Sequence, residues 1–168
     1  MLKKIYNEVT REWDTSVEEA LKSFIRLPAL SPDFDKKWEE NGVLLKALEE
    51  AKAWAEKQGI KGLRCEIIKD DGFTPCLFIE VDATSDKKFE RSVFFYGHLD
   101  KQPPNEGWDP DKSAWEPVIQ NGRLYGRGAV DDGYAFYTSL AAVKVLQTLE
   151  IPHPRCVGLF ETLSLIHI

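Results

Sequence analysis

The chain has 168 residues, of which 43% are hydrophobic and 30% are charged, a balance typical of one folded domain and not of a disordered protein. Its 22 basic and 28 acidic residues give a formal net charge of -6, which argues against a nucleic-acid surface because that surface needs clustered basic residues. The sequence also has no apolar run long enough to cross a bilayer, and its first residues lack the apolar centre of a signal peptide. We therefore expect neither a nucleic-acid partner nor a membrane partner.

Helices are predicted in the first third of the chain. Residues 16–24 place Val17, Leu21 and Phe24 on one apolar face, which predicts a helix. The two prolines of residues 27–32 end that helix in a loop. A second helix is predicted from about residue 35 to residue 58, where leucines and alanines recur at helical spacing.

Three strands are predicted next, at residues 63–67, 76–81 and 92–96. The third is almost entirely apolar, which predicts a strand that is buried on both faces. Residues 97–133 follow, rich in Gly, Pro, Asp and Trp and with little periodicity. Because long irregular segments inside a domain are uncommon and usually functional, this stretch is the expected location of the functional site.

The last predicted elements are a helix at residues 134–150 and a strand at residues 156–160. The order of elements predicts an α/β fold, a mixed β-sheet flanked by helices, with its site at the ends of strands. Cys65, Cys76 and Cys156 each lie in a strand-like run without a CxxC pair. They are expected to be reduced core thiols of a cytoplasmic protein.

His98 and Asp100 stand directly after the most apolar strand. On an extended backbone their side chains point to the same side, so the imidazole of His98 can bind a metal while the carboxylate of Asp100 fixes the ring. An HxD pattern is weak on its own, since a histidine in this position is more often a structural hydrogen-bonding residue.

Asp131 and Asp132 close the irregular stretch and precede a helix. An aspartate in that position is a favoured helix N-cap, and this alternative stays open. Taken together with His98, however, the two aspartates could reach one cation site through the long glycine-rich connection.

The irregular stretch carries several motifs that occur together in order and spacing. They are Gly97-His98-Leu99-Asp100, Gly107-Trp108, Trp115-Glu116-Pro117, Gly122 to Gly128, and Asp131-Asp132-Gly133. With these motifs the chain resembles the metallopeptidase family of carnosinase, carboxypeptidase G and succinyl-diaminopimelate desuccinylase, most closely its dipeptidase branch. The resemblance extends from the loop at residues 27–32 to about Thr162.

The resemblance implies specific roles. His98 would bind one metal and Asp131 would bridge two, while Asp100 would hold the ring of His98. The metals would be two Zn²⁺ ions, with Mn²⁺ or Co²⁺ as alternatives, and the peptide bond between Asp131 and Asp132 would be cis. The intact protein would be a metallopeptidase that acts on a small peptide or an N-acyl amino acid, and it could form a homodimer.

The family pattern stops after Thr162, where a Glu-Glu pair would supply the general base and a further ligand. Residues 163–168 read Leu-Ser-Leu-Ile-His-Ile instead, the peptide that a common transposon-end sequencing adapter encodes. We therefore expect residues 1–162 to be the N-terminal part of a catalytic domain without its lid or dimerisation domain, and residues 163–168 to be non-native. In consequence the chain itself is expected to be inactive, His167 is not expected to be a ligand, and His153 is expected to be solvated.

Three other functions stay open from the sequence. An N-acyl amino acid deacylase or desuccinylase of the same family would use the same metals and base. A metal-dependent phosphoesterase could also use His and Asp ligands, but it would normally show further His and Asp motifs. A truncated, non-catalytic binding protein fits the literal chain but leaves the motifs of residues 97–133 unexplained.

Overall fold

The computed structural model describes residues 1–84 and 91–163. The helices are α1 (Leu2–Glu12), α2 (Glu18–Arg26), α3 (Trp38–Asn41), α4 (Val43–Glu56) and α5 (Tyr134–Thr148), and a π-helical turn, Trp13–Val17, joins α1 to α2. The strands are β1 (Leu63–Ile68), β2 (Cys76–Val81), β3 (Val93–His98), β4 (Val118–Gln120), β5 (Arg123–Tyr125) and β6 (Cys156–Glu161).

Four strands form the main sheet in the order β1-β2-β6-β3. The pairs β1/β2 and β2/β6 are antiparallel, whereas β3 runs parallel to β6. The prediction of a mixed sheet with flanking helices is therefore confirmed. The parallel register places His98 opposite Glu161, at the carboxyl ends of both strands, which is where open α/β sheets carry their sites.

The core lies between the sheet and the helices α4 and α5. Alternate residues of the central strands are buried towards these helices, as in Leu77 and Ile79 of β2 and Phe160 of β6. Phe136 of α5 meets the Phe160 ring edge-on, with centroids 5.0 Å apart. This aromatic contact fixes α5, and therefore the aspartates before it, over the end of β6.

The first two helix predictions were right in kind but wrong at their boundaries. The strand β2 and most of α5 coincide with their predicted ranges. The predicted start of the first helix at residue 16 is wrong, since helical backbone extends from Leu2 to Arg26. The second helix is split by Gly42, whose φ of 66° interrupts the helical backbone between α3 and α4. None of the helices in the described part of the chain is long and apolar enough to cross a membrane.

Two predictions about burial were wrong. The strand β3 is not buried on both faces, because it lies at the edge of the sheet and leaves Phe94 63% exposed. His153 is not solvated but buried. Its ring Nδ1 lies 2.8 Å from the carbonyl of Pro154 and its Nε2 3.1 Å from the amide nitrogen of Gln147. Since a carbonyl only accepts, Nδ1 donates, and Nε2 accepts from Gln147.

The segment after β3 is tied to the N-terminal helices by Lys101. Its side chain is 1% exposed. The Nζ donates hydrogen bonds to the carbonyls of Phe24, Leu27 (2.6 Å) and Ile25 (3.3 Å), and it lies 3.9 Å from the centre of the Phe24 ring. The Lys101 amine thereby adds a donor for carbonyl groups at the end of α2, two of which, those of Phe24 and Leu27, also accept from the main-chain N–H groups of Leu27 and Ala29.

Lys101 should make the stability of the chain depend on pH in the alkaline range. Burial lowers the pKa of Lys101 to about 7, whereas an unfolded lysine has a pKa of about 10.4. Between these values the unfolded chain carries a proton that the folded chain has released, so the free energy of unfolding gained from this group rises with pH, by at most about 1.4 kcal/mol per pH unit. We expect the free energy of unfolding of the wild type, minus that of Lys101→Met, to increase from pH 7 to pH 10. Urea denaturation of both proteins at each pH measures this difference.

Lys46→Met is the matched control, because the Lys46 side chain is 59% exposed and its ion pair with Glu50 spans 3.8 Å. The difference in free energy of unfolding between the wild type and Lys46→Met should stay constant from pH 7 to pH 10. A level difference for Lys101→Met as well would contradict the expectation, and would mean that the three carbonyls and the Phe24 ring keep the amine charged.

Candidate functional site

His98 ends β3, and its ring is held from behind by Asp100. The ring Nδ1 lies 3.1 Å from the main-chain oxygen of Asp100 and 3.2 Å from its carboxylate Oδ1. Both are acceptors, so Nδ1 carries the proton and Nε2 is the nitrogen that faces away from Asp100.

Asp131 stands on the open side of the ring, with its Oδ1 3.2 Å from His98 Nε2. The three predicted site residues are therefore brought together. Burial differs sharply between them, since the side chains of Asp100, His98 and Asp131 are 1%, 12% and 60% exposed. The order of exposure runs from the interior to the solvent, so Asp131 is the member of the three that a ligand from solution can reach.

The carboxylates on either side control the charge of the His98 ring. Burial lowers the pKa of His98, but the hydrogen bond and the negative charge of Asp100, with the charge of Asp131, raise it more, to about 9. At neutral pH the ring therefore holds its second proton unless a cation at Nε2 displaces it.

The turn that carries Asp131 packs against Phe24 and Lys101. A Cβ at Gly133 would lie 2.2 Å from the Phe24 ring, and one at Gly128 would lie 2.8 Å from the Lys101 side chain. Both glycines are therefore needed for the close approach that brings the intervening aspartates to His98. The peptide bond between Asp131 and Asp132 is cis, as the resemblance implied.

The helix-cap alternative for the two aspartates is wrong. The N-cap of α5 is Gly133, and no side chain caps the helix there. Asp132 instead turns its Oδ2 towards β3, where it accepts a hydrogen bond from the main-chain N–H of His98 at 3.2 Å. Sequence reasoning did not identify this contact, because nothing in a sequence pairs a side chain with a main-chain amide 34 residues away.

Tyr96 and Glu161 form a second pair beside the site. The Tyr96 hydroxyl donates to a carboxylate oxygen of Glu161, and burial, followed by the Glu161 hydrogen bond, raises the pKa of Tyr96. Tyr96 precedes His98 by two residues and so shares its face of β3. This alternation along the strand could have identified Tyr96 from the sequence. Glu161 could not be found in this way, because the parallel pairing of β3 with β6 is what places it opposite His98.

Among residues 1–84 and 91–163, no group of three or more His, Cys, Asp or Glu side chains is placed to hold a metal ion. His167, which was set aside as a ligand, lies outside the described residues. Cys65, Cys76 and Cys156 are free thiols on β1, β2 and β6, and of these Cys156 is fully buried. Burial raises the pKa of Cys65 to about 11, which suits an unreactive thiol.

The part of the chain that contains this site is similar to known peptidases. Residues 94–162 match the model of peptidase family M20/M25/M40. Beta-Ala-His dipeptidase of Mus musculus is 36% identical over 78 residues, which are 45% of this chain and 15% of that protein. Succinyl-diaminopimelate desuccinylase of Aromatoleum aromaticum is 40% identical over 67 residues, which are 38% of this chain and 16% of that protein.

The fold is similar to that of human carnosine dipeptidase 1, with a TM-score of 0.70 at 21% identity. That alignment covers 96% of this chain and 34% of the human chain, so the chain spans about a third of the length of this structure and a smaller share of the curated relatives. The matched segment runs from β3 through the aspartates to the end of β6, and it contains His98, Asp100 and Asp131. Residues 94–162, which contain the three candidate site residues, therefore match peptidase family M20/M25/M40.

Proposed function

We propose that the chain carries part of the metal centre of a metallopeptidase that hydrolyses the amide bond of dipeptides or short peptides. The observation that carries the proposal is the pair formed by His98 Nε2 and Asp131 Oδ1, 3.2 Å apart, with the other ring nitrogen held by Asp100. The names of relatives support the substrate class, since one is a Beta-Ala-His dipeptidase and a structure with the same fold is a carnosine dipeptidase.

The geometry of this pair fits a zinc ion. Two ligand atoms at about 2.0–2.1 Å from one tetrahedral Zn²⁺ lie about 3.3 Å apart, close to the separation of Nε2 and Oδ1. Imidazole and carboxylate are ligands that zinc accepts, and Mn²⁺ or Co²⁺ are alternatives. A carboxylate has two oxygens, so Asp131 can serve a second cation, which supports the proposal of a dinuclear centre.

Each residue has a distinct part in the proposed site. His98 would supply a nitrogen ligand, Asp131 a bridging carboxylate, and Asp100 the hydrogen bond that fixes the tautomer and orientation of His98. Two zinc ions, when bound, would supply polarisation of the scissile carbonyl and a lowered pKa of the attacking water. A glutamate as general base is proposed for the intact protein, beyond Thr162. We also keep as proposals that residues 1–162 are the N-terminal part of the catalytic domain and that residues 163–168 are non-native.

A deacylase of N-acyl amino acids is the second candidate function. The similarity to succinyl-diaminopimelate desuccinylases supports it, at 40% identity over 67 residues for one of them. The reaction would use the same ligands and base on a different acyl group. A cytoplasmic location and a homodimer of the intact protein stay predictions; the free thiols of the described residues are in keeping with a reducing compartment.

Removal of either proposed ligand should weaken zinc binding. We expect His98→Ala and Asp131→Ala to raise the Kd for Zn²⁺ at least tenfold, because each removes a direct donor, and Asp100→Ala to raise it about tenfold through loss of ring orientation. Competition with a fluorescent zinc chelator measures the three values.

Asp109→Ala is the matched control for Asp131→Ala, since the Asp109 side chain is similarly exposed, at 67% against 60%, and lies in the same irregular stretch. Its Kd should stay within twofold of the wild type. Equal effects of the two aspartate variants, or a wild type that binds no zinc, would contradict the proposed metal site.

Catalysis should require more than this chain. We expect the 168-residue chain with added Zn²⁺ to hydrolyse neither dipeptides nor N-succinyl amino acids faster than Zn²⁺ alone, because its described residues supply only two of the proposed ligands, His98 and Asp131, and not the proposed general base. The protein translated from the uninterrupted reading frame of the source DNA should have a Glu-Glu pair shortly after Thr162 and should be active. Its relative kcat/KM on the two substrate types decides between peptidase and deacylase, and a frame that still encodes residues 163–168 would refute the non-native tail.

A further inference from the structure

The main-chain amide of His98 points away from the sheet. His98 is the last residue of β3, which pairs with β6 and lies at the edge of the main sheet. The next amide, that of Leu99, donates to the carbonyl of Glu161 at 2.8 Å and so belongs to the contacts with β6. The amide of His98 instead donates to the carboxylate Oδ2 of Asp132 at 3.2 Å. Asp132 therefore supplies the partner that the edge of the sheet leaves missing at this residue.

Gly97 gives Asp132 the space for this contact. A Cβ at Gly97 would lie 2.8 Å from Asp132 Oδ2 and 3.0 Å from the Cβ of Ala135. Any side chain there would therefore push the carboxylate or the first turn of α5 away from β3. The glycine before His98 is explained by the approach of Asp132, and not by a turn in the backbone, since β3 continues through it.

Two neighbouring carboxylates thus hold His98 at two points. Asp131 faces the ring at Nε2, and Asp132 binds the main-chain amide of the same residue. Because the two aspartates are consecutive, the position of one limits the position of the other. We infer that Asp132 is a positioning residue, which fixes the main chain of His98 relative to Asp131 and so sets the separation of the two metal ligands. This inference rests on the proposed function for its metal-binding consequence.

Other uses of the Asp132 carboxylate are less consistent with the structure. In the first turn of α5, the N–H of Ala135 donates a hydrogen bond to the main-chain oxygen of Asp132 at 2.9 Å, so the start of the helix uses the main chain of Asp132 and not its carboxylate. No side chain caps that helix. The carboxylate is consequently directed at β3 and contributes to the alignment of His98, not to the start of α5.

The test uses the full 168-residue chain and two measurements on each variant. The first is hydrogen exchange of the His98 and Leu99 amides by NMR, and the second is the Kd for Zn²⁺ alone. We expect Asp132→Ala to speed exchange at His98 at least tenfold while Leu99 changes less than threefold, and to raise the zinc Kd about tenfold. Asp132→Asn should stay within threefold of the wild type in both measurements, because its side-chain oxygen can accept the same hydrogen bond.

Gly97→Ala keeps the carboxylate but displaces it, so it should reproduce the loss seen in Asp132→Ala. If the role of Asp132 were purely structural, Asp132→Ala would speed exchange at the His98 and Leu99 amides together and would lower the Tm, which is measured for every variant. A folded Asp132→Ala with unchanged exchange at His98 overturns the inference, and so does an unprotected His98 amide in the wild type if no variant folds. A wild type that protects His98 but binds no zinc refutes the proposed function and leaves the Asp132–His98 contact established.

Discussion

The contact between Lys101 and Phe24 is the constraint on which the candidate site depends. Lys101 follows the strand that ends in His98, and Phe24 lies near the end of α2. The Lys101 amine lies over the Phe24 ring and donates a hydrogen bond to the main-chain carbonyl of Phe24. Gly128 and Gly133 then pack on the same two side chains, at distances that leave no room for a Cβ. The turn between these glycines has little freedom, and it is the turn that carries Asp131 and Asp132.

This arrangement explains why His98 and the two aspartates, which are distant in sequence, lie close together. The β3 strand presents His98 through its parallel pairing with β6, and α5 is fixed over that strand pair by the contact of Phe136 with Phe160. Asp131 and Asp132 lie just before α5, so the position of that helix determines where they stand relative to His98. Packing of apolar and aromatic groups therefore determines where both proposed ligands stand, and a metal site needs its ligands to be held in place in this way.

The sequence was sufficient for elements whose burial follows from their own periodicity. The strand β2 alternates regularly and was predicted at its observed bounds. His98, Asp100 and Asp131 were proposed as site residues from motifs, and they lie together in the structure. The exposure of β3 could not be predicted, because an apolar run does not reveal which of its faces is covered by other elements. Burial of His153 and the contact of Asp132 with His98 were missed for a related reason, since both depend on partners that only the tertiary structure brings near.

Three aspartates surround one histidine, and burial and direction separate what each can do. Asp100 is almost inaccessible and lies within reach of Nδ1, so its negative charge acts on the ring and has little contact with solvent. Asp132 is directed to the main chain of His98. Asp131 alone of the three is largely exposed while lying beside Nε2, the nitrogen that Asp100 leaves available. A cation that enters from solvent therefore meets His98 and Asp131 first, and the other two carboxylates determine the orientation in which His98 is presented to it.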